Sequence, residues 1–200
     1  HIAIRTFDDP RVSVDVLSDV FLKNGYKEAG NYKFPAKKLY AKHFELKGHH
    51  KAPRVFISQL MLSNFSPFLH TTIKNLIDNM SADTLHSSEL VFDSKAFGIP
   101  DYEIYEKLRK ESEYAAWVYA FGFRANHFTV SINHLKSMNN IEKVNELLKE
   151  NGYSLNSAGG EIKGSAKELL KQSSTLADRV SHDFKQGSFQ IPSCYYEFAE

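Results

Sequence analysis

The sequence predicts an α+β protein built from two duplicated modules of βαβββ type, which curve into a mixed sheet or half-barrel, with a helical segment inserted between them. Three observations predict it. "HIAIRTF" and "HFTVSIN" are both short alternating runs led by a histidine, each is followed by a helical pattern, and each of those patterns closes on Asn-Gly-Tyr, at 24–26 and again at 151–153. Gly25 follows His1 by 24 residues and Gly152 follows His127 by 25, so the two copies keep step. The stretch between them has no counterpart in either copy.

These boundaries give residues 1–65 as the first module, 66–122 as the helical insert and 123–200 as the second module, together one compact domain. A chain of 200 residues with 42% hydrophobic content is long enough to bury a real core. Its 25 basic and 24 acidic residues leave a net charge of +1 without a basic stripe, which argues against nucleic acid and anionic membranes as partners. A small molecule fits better. The single cysteine, Cys194, excludes an internal disulfide and a thiolate metal cluster, and fits a reducing, cytoplasmic setting. No apolar run is long enough to span a bilayer. A chain that begins with His rather than Met is expected to have lost its native start, and an organellar targeting peptide would have gone with it. The oligomeric state is not legible.

In the first strand, period-two alternation puts His1, Ala3, Arg5 and Phe7 on one face and Ile2, Ile4 and Thr6 on the other. "DDPRVSVDVLSDVFLKNGY" reads as a helix, with Asp8 or Asp9 as N-cap, Pro10 in the first turn, Val12, Val16, Leu17 and Val20 at helical spacing, and Gly25 as the stop. "KLYAKHFEL" and "RVFISQLML" flank the turn-prone "KGHHKAP" and read as neighbouring antiparallel strands. "SPFLHTTIKNLIDNM" and "DYEIYEKLRKESEYAAWVYAFG" read as two helices of the insert. In the second copy His127, Thr129, Ser131 and Asn133 share a face, and "NNIEKVNELLKENGY" is the matching helix. The chain finishes with "STLADRVSHDF", the turn "KQGS" and the strand "FQIPSCYYEFAE", where Ser193, Tyr195, Glu197 and Ala199 share a face.

Glu197 is an acid among aromatic residues, a costly place for a lone carboxylate. If the leading strand of each copy offers its histidine to a shared cavity, His1, His127 and Glu197 form two imidazoles and one carboxylate on one side of a metal. That facial set is the one expected for non-haem Fe(II) that activates dioxygen, with manganese or cobalt as alternatives. Arg5, two strand positions beyond the small Ala3, is placed to clamp a carboxylate bidentately; an ion pair with Asp8, Asp9 or another acid is the bland alternative. His49 and His50 read as solvated turn residues, and His70, His86 and His182 have no periodic partner. His43 and His134 stay ambiguous. Tyr114, Trp117 and Phe121 read as a buried helix stripe, and Gly159-Gly160 as a flexible turn. Gln59 is placed roughly where the duplication puts a counterpart of Glu197 and reads as a plain strand polar residue, with support of substrate or a bound water as the alternative. Gln172 to Thr175 lines the pocket or caps a turn.

"HIAIRTF", "FGFRANHFTVSIN", "ELLKQSSTLAD" and "IPSCYYEFAE" together resemble the 2-oxoadipate dioxygenase/decarboxylase family, from the first residue to the last. The resemblance implies a fold related to the vicinal oxygen chelate superfamily. It implies an Fe(II) held by His1, His127 and Glu197, and Arg5 as the catalytic, substrate-binding arginine for the distal carboxylate. The implied reaction takes a 2-oxo dicarboxylic acid, 2-oxoadipate, and dioxygen to 2-hydroxyglutarate and carbon dioxide, a step of lysine catabolism. The alternatives are a related iron dioxygenase acting on another 2-oxo acid, and a non-catalytic ligand-binding protein of the same fold.

Overall fold

The structure is a computed structural model and describes every residue of the chain except 50, 139 and 166–169. Among the described residues ten strands and six α-helices run in the order β1 (Ile2–Phe7), α1 (Val14–Lys23), β2 (Tyr26–Phe34), β3 (Leu39–Leu46), β4 (Val55–Leu60), α2 (Pro67–Asp78), α3 (Ala82–Leu85), α4 (Tyr102–Glu111), α5 (Glu113–Phe121), β5 (Ala125–Ser131), α6 (Ile141–Glu150), β6 (Lys163–Ser165), β7 (Leu170–Ser174), β8 (Arg179–Phe184), β9 (Gly187–Pro192) and β10 (Tyr195–Ala199).

Eight strands form one mixed sheet in the order β2-β3-β4-β1-β5-β10-β7-β6, while β8 and β9 pair apart as a hairpin. The order is a palindrome of the two modules. In each copy the leading strand pairs in parallel with the copy's closing strand, β1 with β4 and β5 with β10, and the copies meet where β1 runs antiparallel to β5. The helix ends repeat too: Asn24 and Asn151 each donate through Nδ2 to the carbonyl four residues back, at 2.8 Å, and Gly25 and Gly152 follow at positive φ.

Ile4, Phe7, Leu17, Phe44, Val55, Ile57 and Leu60 are fully enclosed with the helices of the insert, and Ile132, Ile141 and Val144 form a smaller cluster under α6. Ile4 and Ile57 face one side of the sheet, whereas Phe7 and Leu60 share the side of Ala3 and Arg5, so the insert also closes that side at the Phe7 end of β1.

The structure corrects four local expectations. Helix α1 starts at Val14 rather than after Asp8 or Asp9, because Gln59 Oε1 accepts from the Val14 N–H at 3.0 Å. Asp9 is instead taken by Arg11 and Asp8 accepts from the Leu62 N–H. The long helical stretch of the insert breaks at Ser112, whose backbone is extended and whose Oγ caps Ala115. Asn133 falls in a single helical turn after β5, outside the strand. Finally, "FQIPSCYYEFAE" is two strands in two sheets, because Ser193 and Cys194 leave the ladder: the Ser193 N–H bonds Asp178 and its carbonyl accepts from Trp117 Nε1. Strand β2 is not singled out by any expectation, since "YKEAGNYKF" lacks apolar alternation.

Candidate metal centre

The site lies on the strands at the seam between the copies. The His1 backbone exchanges two hydrogen bonds with Thr129, and the ladder continues as Ile2↔Phe128 and Ala3↔His127. Across the next pairing, Tyr195 lies beside His127 and Glu197 beside Thr129. Residues paired across a ladder point to the same side, so His1, His127, Thr129, Tyr195 and Glu197 share one face. Their register brings His1, His127 and Glu197 together, with one potential ligand atom from each within 4.8 Å of the others.

Each of the three has an atom tied down and an atom free. The His127 Nδ1–H donates to Asn126 Oδ1 at 2.9 Å, which leaves Nε2 as the unprotonated nitrogen. Asn126 can face its neighbour's ring because β5 carries one extra residue there: the pairing steps from Ala3↔His127 directly to Ile4↔Ala125. Glu197 Oε1 accepts from Thr129 Oγ1 and from Gln172 Nε2, both at 3.0 Å, while Oε2 takes no hydrogen bond among the described residues. With its proton given to Glu197, Thr129 Oγ1 accepts from His1 Nε2 at 3.0 Å, which leaves Nδ1 of His1 unprotonated.

The electrostatics point the same way. Burial pushes the Glu197 carboxyl above the usual carboxylate range, against the pull of the Thr129 hydrogen bond. Burial, helped by the Arg5 guanidinium, pushes the His127 imidazole down to about 3. No Lys or Arg pairs with Glu197 among the described residues. Two imidazoles, each with a free nitrogen, and a partly buried carboxylate without an ion-pair partner among the described residues are a donor set that a divalent cation completes, and they suit Fe(II), manganese or cobalt.

Around the three donors the concave face is aromatic. Phe56 lies 5.8 Å from the His1 ring, Tyr32 lies 5.8 Å from Phe56, and Tyr195 stacks on His127. Arg5 is half-buried on this wall, its guanidinium 4.8 Å from the Tyr114 ring centre and 5.6 Å from Trp117. It pairs with no acid among the described residues, so the bland reading of an ion pair with Asp8 or Asp9 does not hold.

The remaining histidines stay out of the centre. His43 Nδ1 meets the Tyr32 hydroxyl at 2.9 Å, and a side chain at Gly30 would press on both at 3.0–3.2 Å, so glycine gives this pair room. His134 bonds Ser131, His86 bonds the Ala82 carbonyl, and His49 and His70 are exposed. His182 packs between Phe121 and Phe184, and His50 lies outside the described residues. The register also corrects the place of Gln59: the residue opposite Ala3, two after His1, is Phe56, just as Glu197 is opposite Thr129, two after His127. The first copy thus has a phenyl ring where the second has its carboxylate, and Gln59 sits on the opposite face, capping α1.

Sequence reasoning named Thr129 only as a face member and left Gln172 open. Both hold Glu197 Oε1. Asn126 had one signal, its place directly before His127; Arg124, discussed below, had none. Helix α5 is buried at every position from Ala115 to Phe121 rather than along one stripe, and Tyr114, Trp117 and Phe121 offer ring faces to arginines.

The model of the 2-oxoadipate dioxygenase/decarboxylase family matches residues 82–200. The chain belongs to this family. Among its relatives is the chloroplastic 2-oxoadipate dioxygenase/decarboxylase of Arabidopsis thaliana, 37% identical over the whole of this chain and 57% of that protein. The chain spans 57–58% of the length of the curated plant relatives it matches. A crystal structure from Shewanella frigidimarina superimposes with a TM-score of 0.92 at 49% identity, covering all of this chain and 78% of the other. The hydroxyglutarate synthase of Oryza sativa, solved in complex with 2-oxoadipate, has a TM-score of 0.90 at 34% identity and is covered over 68% of its chain. A glyoxalase-superfamily protein of Ralstonia eutropha, at 20% identity and a TM-score of 0.81 over 70% of its chain, shares the fold. The curved mixed sheet expected from the sequence is thus shared with these structures.

Proposed function

We propose that this protein is an Fe(II)-dependent dioxygenase and decarboxylase that converts 2-oxoadipate and dioxygen to 2-hydroxyglutarate and carbon dioxide. The observation that carries the reading is the convergence of His1, His127 and Glu197 to within 4.8 Å, beside an arginine without an acid partner among the described residues. The family match and the rice relative solved with 2-oxoadipate support it.

His1, His127 and Glu197 would hold the iron. The metal would supply a Lewis acid for the 2-oxo acid head and the redox centre for dioxygen. The protein supplies the rest. Asn126, Thr129 and Gln172 fix the donor atoms, Arg5 receives the distal carboxylate, and the aromatic wall of Phe56, Tyr195 and Trp117 keeps bulk water from the chain between the two ends. The three segments 1–65, 66–122 and 123–200 act on this reading as two site-forming modules and a helical cover. The plant relatives are named chloroplastic, and a cytoplasmic setting for this chain belongs to the proposal. No helix among the described residues is long and apolar enough to cross a membrane.

The test is an anaerobic Fe(II) titration followed by oxygen uptake against a panel of 2-oxo acids. One iron per chain is expected, with uptake strongest on 2-oxoadipate and 2-hydroxyglutarate as product, and His127→Ala and Glu197→Ala should lose both binding and uptake. Iron binding with uptake on a different acid would replace the substrate. Absence of uptake on every acid would leave a ligand-binding protein.

A further inference from the structure

A second arginine, Arg124, packs against the same indole as Arg5. The β1–β5 pairing ends at Ile4↔Ala125, and one step further the ladder would set Arg124 opposite Arg5. The extra residue at Asn126 matters here. An unbroken ladder from Ala3↔His127 would put Arg124 opposite Thr6, on the core side; the added residue turns it to the side of Ala3, Arg5 and His127. The contacts agree. The guanidinium carbons of Arg5 and Arg124 lie 5.6 and 5.7 Å from the ring centre of Trp117, and Arg124 is also 4.3 Å from Phe121.

Of the other arginines, Arg11 has Asp9 and Asp78, Arg54 has Glu45 and Arg109 has Glu106, while the exposed Arg179 gives its Nη2 to the Gln190 carbonyl. Neither Arg5 nor Arg124 has an acid partner among the described residues. Arg124 gives Nη2 to Ser193 Oγ at 2.8 Å and to Cys194 Sγ at 3.6 Å, yet its Nε is buried without any partner. His182 Nε2 is likewise buried and unpartnered, and the Arg124 charge is felt there. Two guanidinium groups packed on one indole without an acid partner among the described residues leave charge that a ligand carboxylate would compensate.

We propose that Arg124 is a second recognition residue for the distal carboxylate, which it holds together with Arg5 beside Trp117, and that this pair selects dicarboxylic over monocarboxylic 2-oxo acids. The inference rests on the function proposed above, and it adds a residue and a selection rule to it. Arg5 reaches the carboxylate from the metal side; Arg124, braced by Ser193, offers its Nε–H from the far side.

Trp117 is the sole tryptophan of the chain, so its fluorescence reports on this pocket directly. The experiment titrates the iron-loaded protein, without oxygen, with 2-oxoadipate and with the monocarboxylic 2-oxohexanoate, in wild type and in Arg124→Gln. Loss of one charge-assisted contact should weaken 2-oxoadipate about ten- to a hundred-fold and leave 2-oxohexanoate within about two-fold. Equal loss for both acids, or no loss for either, overturns the proposal. Should Arg124→Gln fail to fold, Arg124→Lys keeps the charge and stem but lacks Nε–H, and it should still weaken 2-oxoadipate selectively; an unchanged ratio of the two acids would overturn the proposal as well. A parallel titration of the metal-free protein with adipate separates the two readings. Adipate binding that Arg124→Gln weakens, in a protein that turns over no 2-oxo acid, would sink the proposed reaction and keep the carboxylate pocket, whereas turnover of 2-oxoadipate with unaltered selectivity in Arg124→Gln would do the reverse.

Discussion

Tyr195 lies flat against His127, with ring centroids 4.6 Å apart and planes 19° from parallel. The parallel pairing of β10 with β5 sets the two side by side, and Asn126 holds the Nδ1 edge, so the imidazole is fixed in both tilt and rotation. Its free nitrogen can point in only one direction. The other residues around the centre are fixed by comparable means, and each has a measurable consequence.

Arg5→Ala should leave iron binding intact and lower kcat/KM on 2-oxoadipate roughly ten- to a hundred-fold, the equivalent of a charge-assisted hydrogen bond of about 1.5 to 3 kcal/mol. Steady-state oxygen uptake measures it. Unchanged efficiency would remove Arg5 from substrate recognition.

Gln172→Leu removes one of the two hydrogen bonds on Glu197 Oε1 and leaves the three donors in place. Partners of metal ligands at this distance are worth about ten- to a hundred-fold in metal affinity or activity, and a loss in that range is expected from competition with a chelator. A variant that binds iron and turns over like wild type would show that Thr129 alone orients the carboxylate.

Tyr114 ties the helical insert to the sheet. Its hydroxyl donates to the Ser58 carbonyl at 2.6 Å and accepts from the Thr6 N–H at 3.1 Å, and burial pushes its phenol up to about 12. Tyr114→Phe leaves both backbone groups without this partner and should destabilise by about 1 to 3 kcal/mol. The folded pKa is above the unfolded value of about 10, so the contribution is full below pH 10 and fades as the pH rises through 12. Denaturant melts at pH 8 and at pH 11 should converge between wild type and the variant; a constant gap would mean that the phenol does not titrate.

Gln59→Ala takes the acceptor from the first turn of α1 and should cost about 0.5 to 2 kcal/mol, as the loss of a helix cap does. Iron affinity should not change, because Gln59 faces away from the centre. Loss of metal in a folded Gln59→Ala protein would contradict that placement.

Much of the fold was legible because the two copies repeat their punctuation. A histidine-led strand followed by a helix that stops at Asn-Gly-Tyr is visible twice, and the palindromic sheet follows from it. Glu197 stood out as an acid among aromatic residues. Register was harder to read. Whether Phe56 or Gln59 answers to Glu197 depends on the turn between β3 and β4, which alternation alone does not fix. The break at Ser112 was hidden because serine suits a helix start and is only mildly unfavourable inside one. Gln172 and Arg124 carry no local pattern. Their neighbours come from β10, the β9–β10 connection and α5, so only the folded sheet shows what they touch.

His127 and Glu197 come from hydrogen-bonded strands, and His1 is tied to Thr129 by two main-chain bonds. A centre assembled on such scaffolding is preorganised: cation uptake requires little rearrangement of the backbone, and its loss need not unravel the surrounding strands. Chelation and reloading should then be reversible at ordinary temperature, so the same sample can serve as its own control before and after iron.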